Sequence, residues 1–138
     1  MTELVTVIVI LGILAAVAIP RMNTSDYRAL EFRDKTVAAL RYAQKTATSH
    51  RRTVCVAFTA STVTLTIDYD KLGCTAAKTL NLPGSNSNVV QSGDATNAVF
   101  NPVPAGFNFQ PDGSGADRSI SVSGQTAITV VGVTGSVR

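Results

Sequence analysis

The chain has 138 residues and a formal net charge of +3 at pH 7, and its length fits one domain with a modest core. It contains a single histidine, and its two cysteines do not form a C-x-x-C pair, which excludes the usual zinc-site spacings. Residues 21–52 hold eight basic and three acidic side chains, whereas residues 53–138 hold four basic and five acidic ones. Such a basic segment contacts anionic lipid, an acidic subunit or nucleic acid, or is simply solvated.

The N-terminal segment is almost entirely apolar. Residues 4–19 contain no charged side chain, and Thr6 and Gly12 are the only members that are not clearly apolar. As a helix this segment would rise about 24 Å, slightly less than the roughly 30 Å of a bilayer core. Because it lacks a polar face, it does not fit an interfacial amphipathic helix.

Three interpretations of this segment compete: a signal peptide, a plain membrane anchor and an assembly helix. A signal peptide begins with basic residues and ends at a small-residue cleavage site, whereas the flanking residue here is Glu3. A plain anchor accounts for the apolarity, but not for the acid at the start or for Pro20 at the end. The third interpretation, an assembly helix that packs against other subunits, is the one that a resemblance in the order of residues implies.

The order of residues in this segment carries a specific resemblance. Residues 3–21, ELVTVIVILGILAAVAIPR, resemble the N-terminus of mature type IV pilins and type II secretion pseudopilins, and are most similar to pilins of the mannose-sensitive haemagglutinin class. Members of these families usually have four residues before the glutamate, whereas this chain has Met1 and Thr2. The resemblance implies a structural subunit with an N-methylated terminus that polymerises through its N-terminal helix.

The resemblance also implies roles for individual residues. In related pilins the glutamate equivalent to Glu3 pairs with the N-terminal amine of a neighbouring subunit, so docking here would join Glu3 to the amine of Met1. Alternatively, Glu3 only favours the positive end of its own helix dipole, an effect of roughly 0.3–1 kcal/mol. Pro20 would kink the helix because it removes a backbone hydrogen bond. Gly12 would either admit a neighbouring helix or be a tolerated helical glycine.

A second, amphipathic helical pattern begins at Asp26 and is expected to end near residues 49–52, where basic side chains suit the negative end of a helix. Ser25 or Asp26 would cap its start. One apolar stripe is expected to cover a sheet, and it consists of Tyr27, Leu30, Val37, Leu40, Ala43 and Ala47.

The remaining chain predicts strands. Residues 53–59 and 62–69 alternate in polarity around the turn Ala60-Ser61, which indicates a β-hairpin. Residues 83–97 predict a mobile loop because they are rich in Gly, Ser and Asn. Further strands are expected at residues 98–101, 106–110, 119–123 and 126–133, with a tight turn at 123–125. The predicted fold class is α+β and pilin-like: a long N-terminal helix, apolar in its first half, packed on an antiparallel sheet or on a two-sheet globular domain.

The two cysteines are Cys55 and Cys74. Beyond a membrane segment they indicate an oxidising compartment and one disulfide, which would close a loop of about 20 residues and contribute on the order of 3 kcal/mol. The alternation of the first strand turns Cys55 away from the apolar face, as a bridge to the Cys74 loop requires. Two unrelated buried thiols are the alternative.

A looser similarity extends beyond the N-terminal segment, to the minor-subunit class shared by H-type pseudopilins and some minor pilins. It is carried by the strand that holds Cys55 and by residues 38–44, 109–113 and 135–138. These motifs are short, and they favour a minor subunit over a major one.

No catalytic constellation is evident. His50 lies among basic residues at the expected helix end, where it suits a structural or solvated role better than that of a general base. Two pairs of acids, Asp68 with Asp70 and Asp112 with Asp117, are conceivable cation ligands, although neither matches an EF-hand loop and solvated turn acids are the simpler interpretation. We expect no metal and no cofactor. The basic helix lacks the interleaved aromatic residues of a nucleic-acid groove, so DNA is not an expected partner.

The sequence thus predicts two regions, a membrane and filament-core helix at 1–24 and a periplasmic or extracellular pilin globular domain at 25–138. The expected function is that of a minor type IV pilin in pilus assembly, initiation or adhesion, and the alternative is a minor pseudopilin of a type II secretion system. An enzyme anchored by one helix is a third hypothesis, and it lacks any catalytic group. The expected partners are other pilin subunits and, before assembly, inner-membrane lipids. The expected location is the inner membrane and then a pilus at the cell surface or a periplasmic pseudopilus.

Overall fold

The computed structural model describes residues 1–18, 24–70 and 73–138. Helix α1 (Thr2–Ala18) is followed by helix α2 (Thr24–His50) and then by eight strands. The strands are β1 (Val54–Phe58), β2 (Thr62–Ile67), β3 (Lys78–Thr79), β4 (Val89–Gln91), β5 (Phe107–Phe109), β6 (Arg118–Ile120), β7 (Ile128–Val131) and β8 (Ser136–Val137). All their pairings are antiparallel, so the predicted α+β class is confirmed.

Helix α2 ends where the sequence predicts. Its last residue is His50, the next residue, Arg51, has a positive φ of 50°, and the amide of Arg52 donates to the carbonyl of Ala47. A left-handed residue followed by a hydrogen bond of this span is a common way to close the last turn of a helix. The helix begins at Thr24, two residues before the predicted start.

The predicted apolar stripe of α2 is wrong in its first part. Tyr27 and Leu30 are 63% and 43% exposed, and the residues that face the core instead are Ala29 and Phe32. Thr36 lies on the same buried face, and its hydroxyl donates to the carbonyl of Phe32 at 2.8 Å. A polar residue whose hydroxyl bonds within its own helix is thus part of the core face. Its polarity interrupts the apolar pattern, so the sequence pattern did not identify this face. The later members of the stripe are buried as predicted, and they are Val37, Leu40, Ala43 and Ala47.

A five-stranded sheet is built around the predicted hairpin of β1 and β2. The register runs from Val54 opposite Ile67 to Phe58 opposite Val63. β5 pairs with the other side of β1, while β3 and β4 both pair with the free edge of β2. The predicted loop at 83–97 is therefore wrong in part, because it contains the paired strand β4.

The second sheet consists of β6, β7 and β8 in that order. The strands predicted at 106–110, 119–123 and 126–133 correspond to β5, β6 and β7, whereas β3 and β8 were not predicted. Residues 98–101 form no ladder strand and contribute one isolated bridge between Phe100 and Val122. The physical reason is Pro102, which follows this segment and has no N–H with which to continue a ladder.

One hydrophobic core joins the two sheets beneath α2. The helix packs on β1, β2, β4 and β5 of the first sheet and on β8 of the second. The ring of Phe32 lies 4.9 Å from that of Phe100, and Phe58 lies 5.5 Å from the same ring. From α2 onward, the architecture of the described residues is thus one helix over two antiparallel sheets.

Candidate assembly interface

Helix α1 is apolar on all sides and nothing in the described chain covers it. Ten of its large aliphatic side chains are each 53–67% exposed, and they are Leu4, Val5, Val7, Ile8, Val9, Ile10, Leu11, Ile13, Leu14 and Val17. At about 100° per residue these side chains leave no polar face on the helix. A helix with this pattern normally lies inside a protein core or a membrane, so α1 requires a covering that the described residues do not supply.

Transfer free energies set the scale of this requirement. Full burial of a Val, Leu or Ile side chain stabilises by about 1.5–3 kcal/mol. Because these ten side chains are already partly shielded by their own helix, covering α1 would contribute on the order of 10 kcal/mol. Within residues 1–18, 24–70 and 73–138, no helix combines the length and the apolarity that crossing a bilayer takes.

The polar groups of α1 are confined to its start. Glu3 lies in the first helical turn, and it is the only charged side chain of α1. The hydroxyl of Thr6 donates to the carbonyl of Glu3 at 2.8 Å, which satisfies the one hydroxyl inside the apolar segment. The amide of Val5 donates to the carbonyl of Met1. Glu3 and Met1 therefore lie at the same end of the helix.

Two further positions were singled out in the sequence. A methyl group added at Gly12 would meet no atom of the described chain within 4 Å, so intramolecular packing there does not require glycine. Pro20 and the kink predicted at it lie outside the described residues.

The predicted disulfide is confirmed. Cys55 lies on the side of β1 opposite the core, and its sulfur is bonded to that of Cys74, which begins a short 3₁₀ turn at Cys74–Ala76. The two oxygens of the Asp68 carboxylate accept hydrogen bonds from the amides of Asp70 and Gly73.

Three of the four candidate cation ligands, Asp68, Asp112 and Asp117, accept hydrogen bonds from backbone amides. Asp112 accepts hydrogen bonds from the hydroxyl and amide of Ser114, and these bonds lower the pKa of the Asp112 carboxyl. Asp117 accepts one from the amide of Gly132 at 2.6 Å. In the part of the chain that the structure describes, no three His, Cys, Asp or Glu side chains form a group that could hold a metal ion. His50 is the last residue of α2 and is exposed.

Three motifs of the looser similarity, residues 38–44, 109–113 and 135–138, meet at one place, which the sequence did not reveal. The Gln44 side chain donates to the carbonyl of Thr134 at 2.7 Å and to that of Gly113 at 3.3 Å. Gly135 has a φ of 65°, and a methyl group added to it would lie 1.8 Å from the carbonyl oxygen of Gly113. These residues therefore connect α2 to two distant turns and have a structural role. No sequence signal linked them, because they are about 70 and 90 residues apart from Gln44.

Comparisons of the chain with protein-family models, with curated proteins and with solved structures found no significant match.

Proposed function

We propose that the chain is a structural subunit of a type IV pilin-like filament, that it polymerises through α1, and that it is not an enzyme. The observation that carries this proposal is the contrast between the two parts of the chain. The residues from α2 onward bury a continuous core of their own, whereas the ten large aliphatic side chains of α1 remain more than half exposed.

Such a helix needs two coverings in succession. Before assembly, lipid of the inner membrane would cover residues 1–24, and the domain formed by residues 25–138 would lie in the periplasm. In the filament, the α1 helices of other subunits would replace the lipid. Lipid and packed helices are similarly apolar, so this exchange depends on close packing and on polar groups that select the correct neighbour. Among the described residues outside its own helix backbone, no atom lies within 4 Å of a methyl group added at Gly12, which is consistent with close packing of a neighbouring helix.

Glu3 is the group that we propose selects the neighbour. A carboxylate in an apolar environment costs several kcal/mol unless it has a partner. The Met1 amine of an adjacent subunit would supply the opposite charge, so that only a subunit docked at the correct height relieves the burial of Glu3. The residues of the resemblance, 3–21, support this role.

The narrower assignment is a minor pilin that acts in pilus assembly, initiation or adhesion, and it rests on the resemblance alone. The alternative is a minor pseudopilin of a type II secretion system, whose filament would move cargo. The gene neighbourhood separates the two, because pilus adhesin genes accompany the first and secretin-linked export genes the second.

The docking role is tested by replacing Glu3 with glutamine. In cells that produce the full chain, the fraction recovered in sheared filaments should fall about tenfold or more, which corresponds to about 1.4 kcal/mol. The membrane-bound pool and the melting temperature of the globular domain should be unchanged. Asp70→Asn, which removes an acid of the globular domain that is also exposed, is the control and should assemble normally. Normal incorporation of Glu3→Gln refutes the docking role, and full activity of a monomer without residues 1–20 refutes the whole proposal.

A further inference from the structure

The charge of α2 changes along the helix axis. Residues 24–34 of α2 carry three acidic and two basic side chains, whereas residues 35–50 carry three basic ones and no acid, and Arg51 and Arg52 follow the helix directly. The next acid in the chain is Asp68, which is buried. One half of the helix is therefore slightly acidic and the other half strongly basic.

Both halves present charge to the exterior. Arg33 contacts one carboxylate oxygen of Asp34 at 3.1 Å, and the Asp34 side chain remains 63% exposed. Lys35 pairs with Glu31 of the same helix at 2.6 Å. Lys45 is exposed, and among the residues that the structure describes its side chain has neither an ion-pair nor a hydrogen-bond partner. Asp34 and Lys45 are thus accessible charges of opposite sign on one side of α2.

The relative height of two copies decides whether these charges attract or repel. Under the proposed function, which this step presupposes, all copies of α2 point the same way because α1 enters the membrane in one orientation. Two parallel copies at the same height would set Asp34 against Asp34 and Lys45 against Lys45, and like charges in contact disfavour that arrangement. A shift of about eleven residues, or three helical turns and roughly 16 Å, would set Asp34 of one copy against Lys45 of the other.

The same shift matches an apolar pair of features. Tyr27 is 63% exposed on α2, and eleven residues further on lies Ala38, at the edge of a groove of about 540 Å³ that Tyr42 and Leu82 also line. A copy shifted by three turns would bring the exposed ring of Tyr27 to this groove. The charged residues and the exposed apolar residues of α2 therefore favour the same axial shift between two parallel copies.

Lipid headgroups do not fit the basic half as well as a second copy does. Lys45 lies 21 residues beyond the start of α2 at Thr24, which is about 31 Å along the helix. Surface charges act over a Debye length of roughly 8–10 Å at physiological salt. Under the proposed function, with α1 in the membrane and α2 directed away from it, the basic half lies beyond the reach of the headgroups.

We infer that α2 carries a self-association surface in which the basic C-terminal half of one subunit contacts the acidic N-terminal half of a parallel second copy, shifted by about three helical turns.

Charge reversal tests this contact in cells that produce the full chain. Asp34→Lys alone and Lys45→Glu alone should each reduce the filament fraction roughly five- to tenfold, and the double variant should recover to within about twofold of wild type. Melting temperatures of the three variants close to that of wild type separate a contact defect from a folding defect. A double variant as defective as the singles overturns the inference. So does a Lys45→Glu defect that coincides with lost binding of added DNA and is not rescued, because it assigns the basic half to nucleic acid.

Cross-linking gives a second readout that does not depend on filament yield. Copies carrying Asp34→Cys and copies carrying Lys45→Cys, produced together and treated with a short bismaleimide, should give a dimer on a denaturing gel. Either variant produced alone should give none, and a dimer from Asp34→Cys alone overturns the inference because it reports copies at equal height. If assembly depends on Glu3 while the charge variants assemble normally, the proposed function stands and the staggered contact fails. If the wild-type chain forms no filament at all, both fail.

Discussion

Replacing Phe32 with alanine should destabilise the globular domain far more than the same replacement at Leu30. Phe32 is 1% exposed, and its ring contacts that of Phe100 in the middle of the core. Leu30 is two positions earlier on α2 and is 43% exposed. The pattern of the sequence placed Leu30, and not Phe32, on the core-facing stripe, so this pair of variants separates the two assignments.

The expected magnitudes differ several-fold. Truncation of a fully buried phenylalanine removes its transfer free energy and leaves a cavity, which together cost about 3–5 kcal/mol. That is a large fraction of the roughly 5–15 kcal/mol that stabilise a typical domain. Leu30 would lose about half of a leucine transfer free energy without leaving a closed cavity, or roughly 1 kcal/mol.

Thermal unfolding of the full chain in mild detergent measures this difference. Near-UV circular dichroism is a suitable signal because the core contains several Phe rings in fixed contact. The midpoint should fall by roughly 10–20 °C for Phe32→Ala and by about 5 °C or less for Leu30→Ala. Equal shifts, or a larger shift at Leu30, would refute the described orientation of α2.

Three further outcomes are expected. Gly135→Ala should lower the free energy of unfolding by at least about 2 kcal/mol, because its φ is positive and the added methyl would collide with a backbone carbonyl. Gly93→Ala is the control, because a methyl group added there has no described neighbour within 4 Å. A loss at Gly135 no greater than the loss at Gly93 would contradict this. Reduction of the Cys55–Cys74 bridge, which spans 19 residues, should cost about 3 kcal/mol in denaturant unfolding, and an unchanged midpoint would count against the bridge. The pKa of Asp94 is lowered by hydrogen bonds from the side chain and then the backbone of a neighbouring asparagine. The stabilising effect of the Asp94 carboxylate is therefore complete above the ordinary carboxyl pKa and disappears as the pH falls through the lowered pKa. Asp94→Asn should make the melting temperature depend less on pH between about pH 2 and 5. The same pH dependence of the melting temperature in both proteins would contradict this.

Local patterns were sufficient for the elements whose residues interact with near neighbours. The β1–β2 hairpin follows from alternation on both sides of a short turn, and the end of α2 follows from its basic last turn. The position of Cys55 on the outer face of β1 follows from the same alternation. In the candidate interface, the apolar run of α1 and the acid at its start are also properties of consecutive residues.

Features that depend on distant partners could not be obtained in this way. β4 lies in a stretch with the composition of a loop, and it is a strand only because the free edge of β2 offers it hydrogen bonds. Nothing in the sequence near Gln44 distinguishes it from other polar residues of α2. Its role follows from its hydrogen bonds to the carbonyls of Gly113 and Thr134, which only the tertiary structure brings beside it.

The sequence by itself determined that the chain has an apolar helix with one acid at its start, followed by an α+β domain with two cysteines, one of which faces away from the core. The spacing of apolar residues is enough for that, because it differs between helices and strands, and the polarity of a segment indicates whether it contacts water or an apolar environment. Only the tertiary structure decided which side of α2 is buried. That choice depends on how Phe32 and a self-satisfied Thr36 fit against two sheets formed later in the chain, and it left Tyr27 and Leu30 on the exterior.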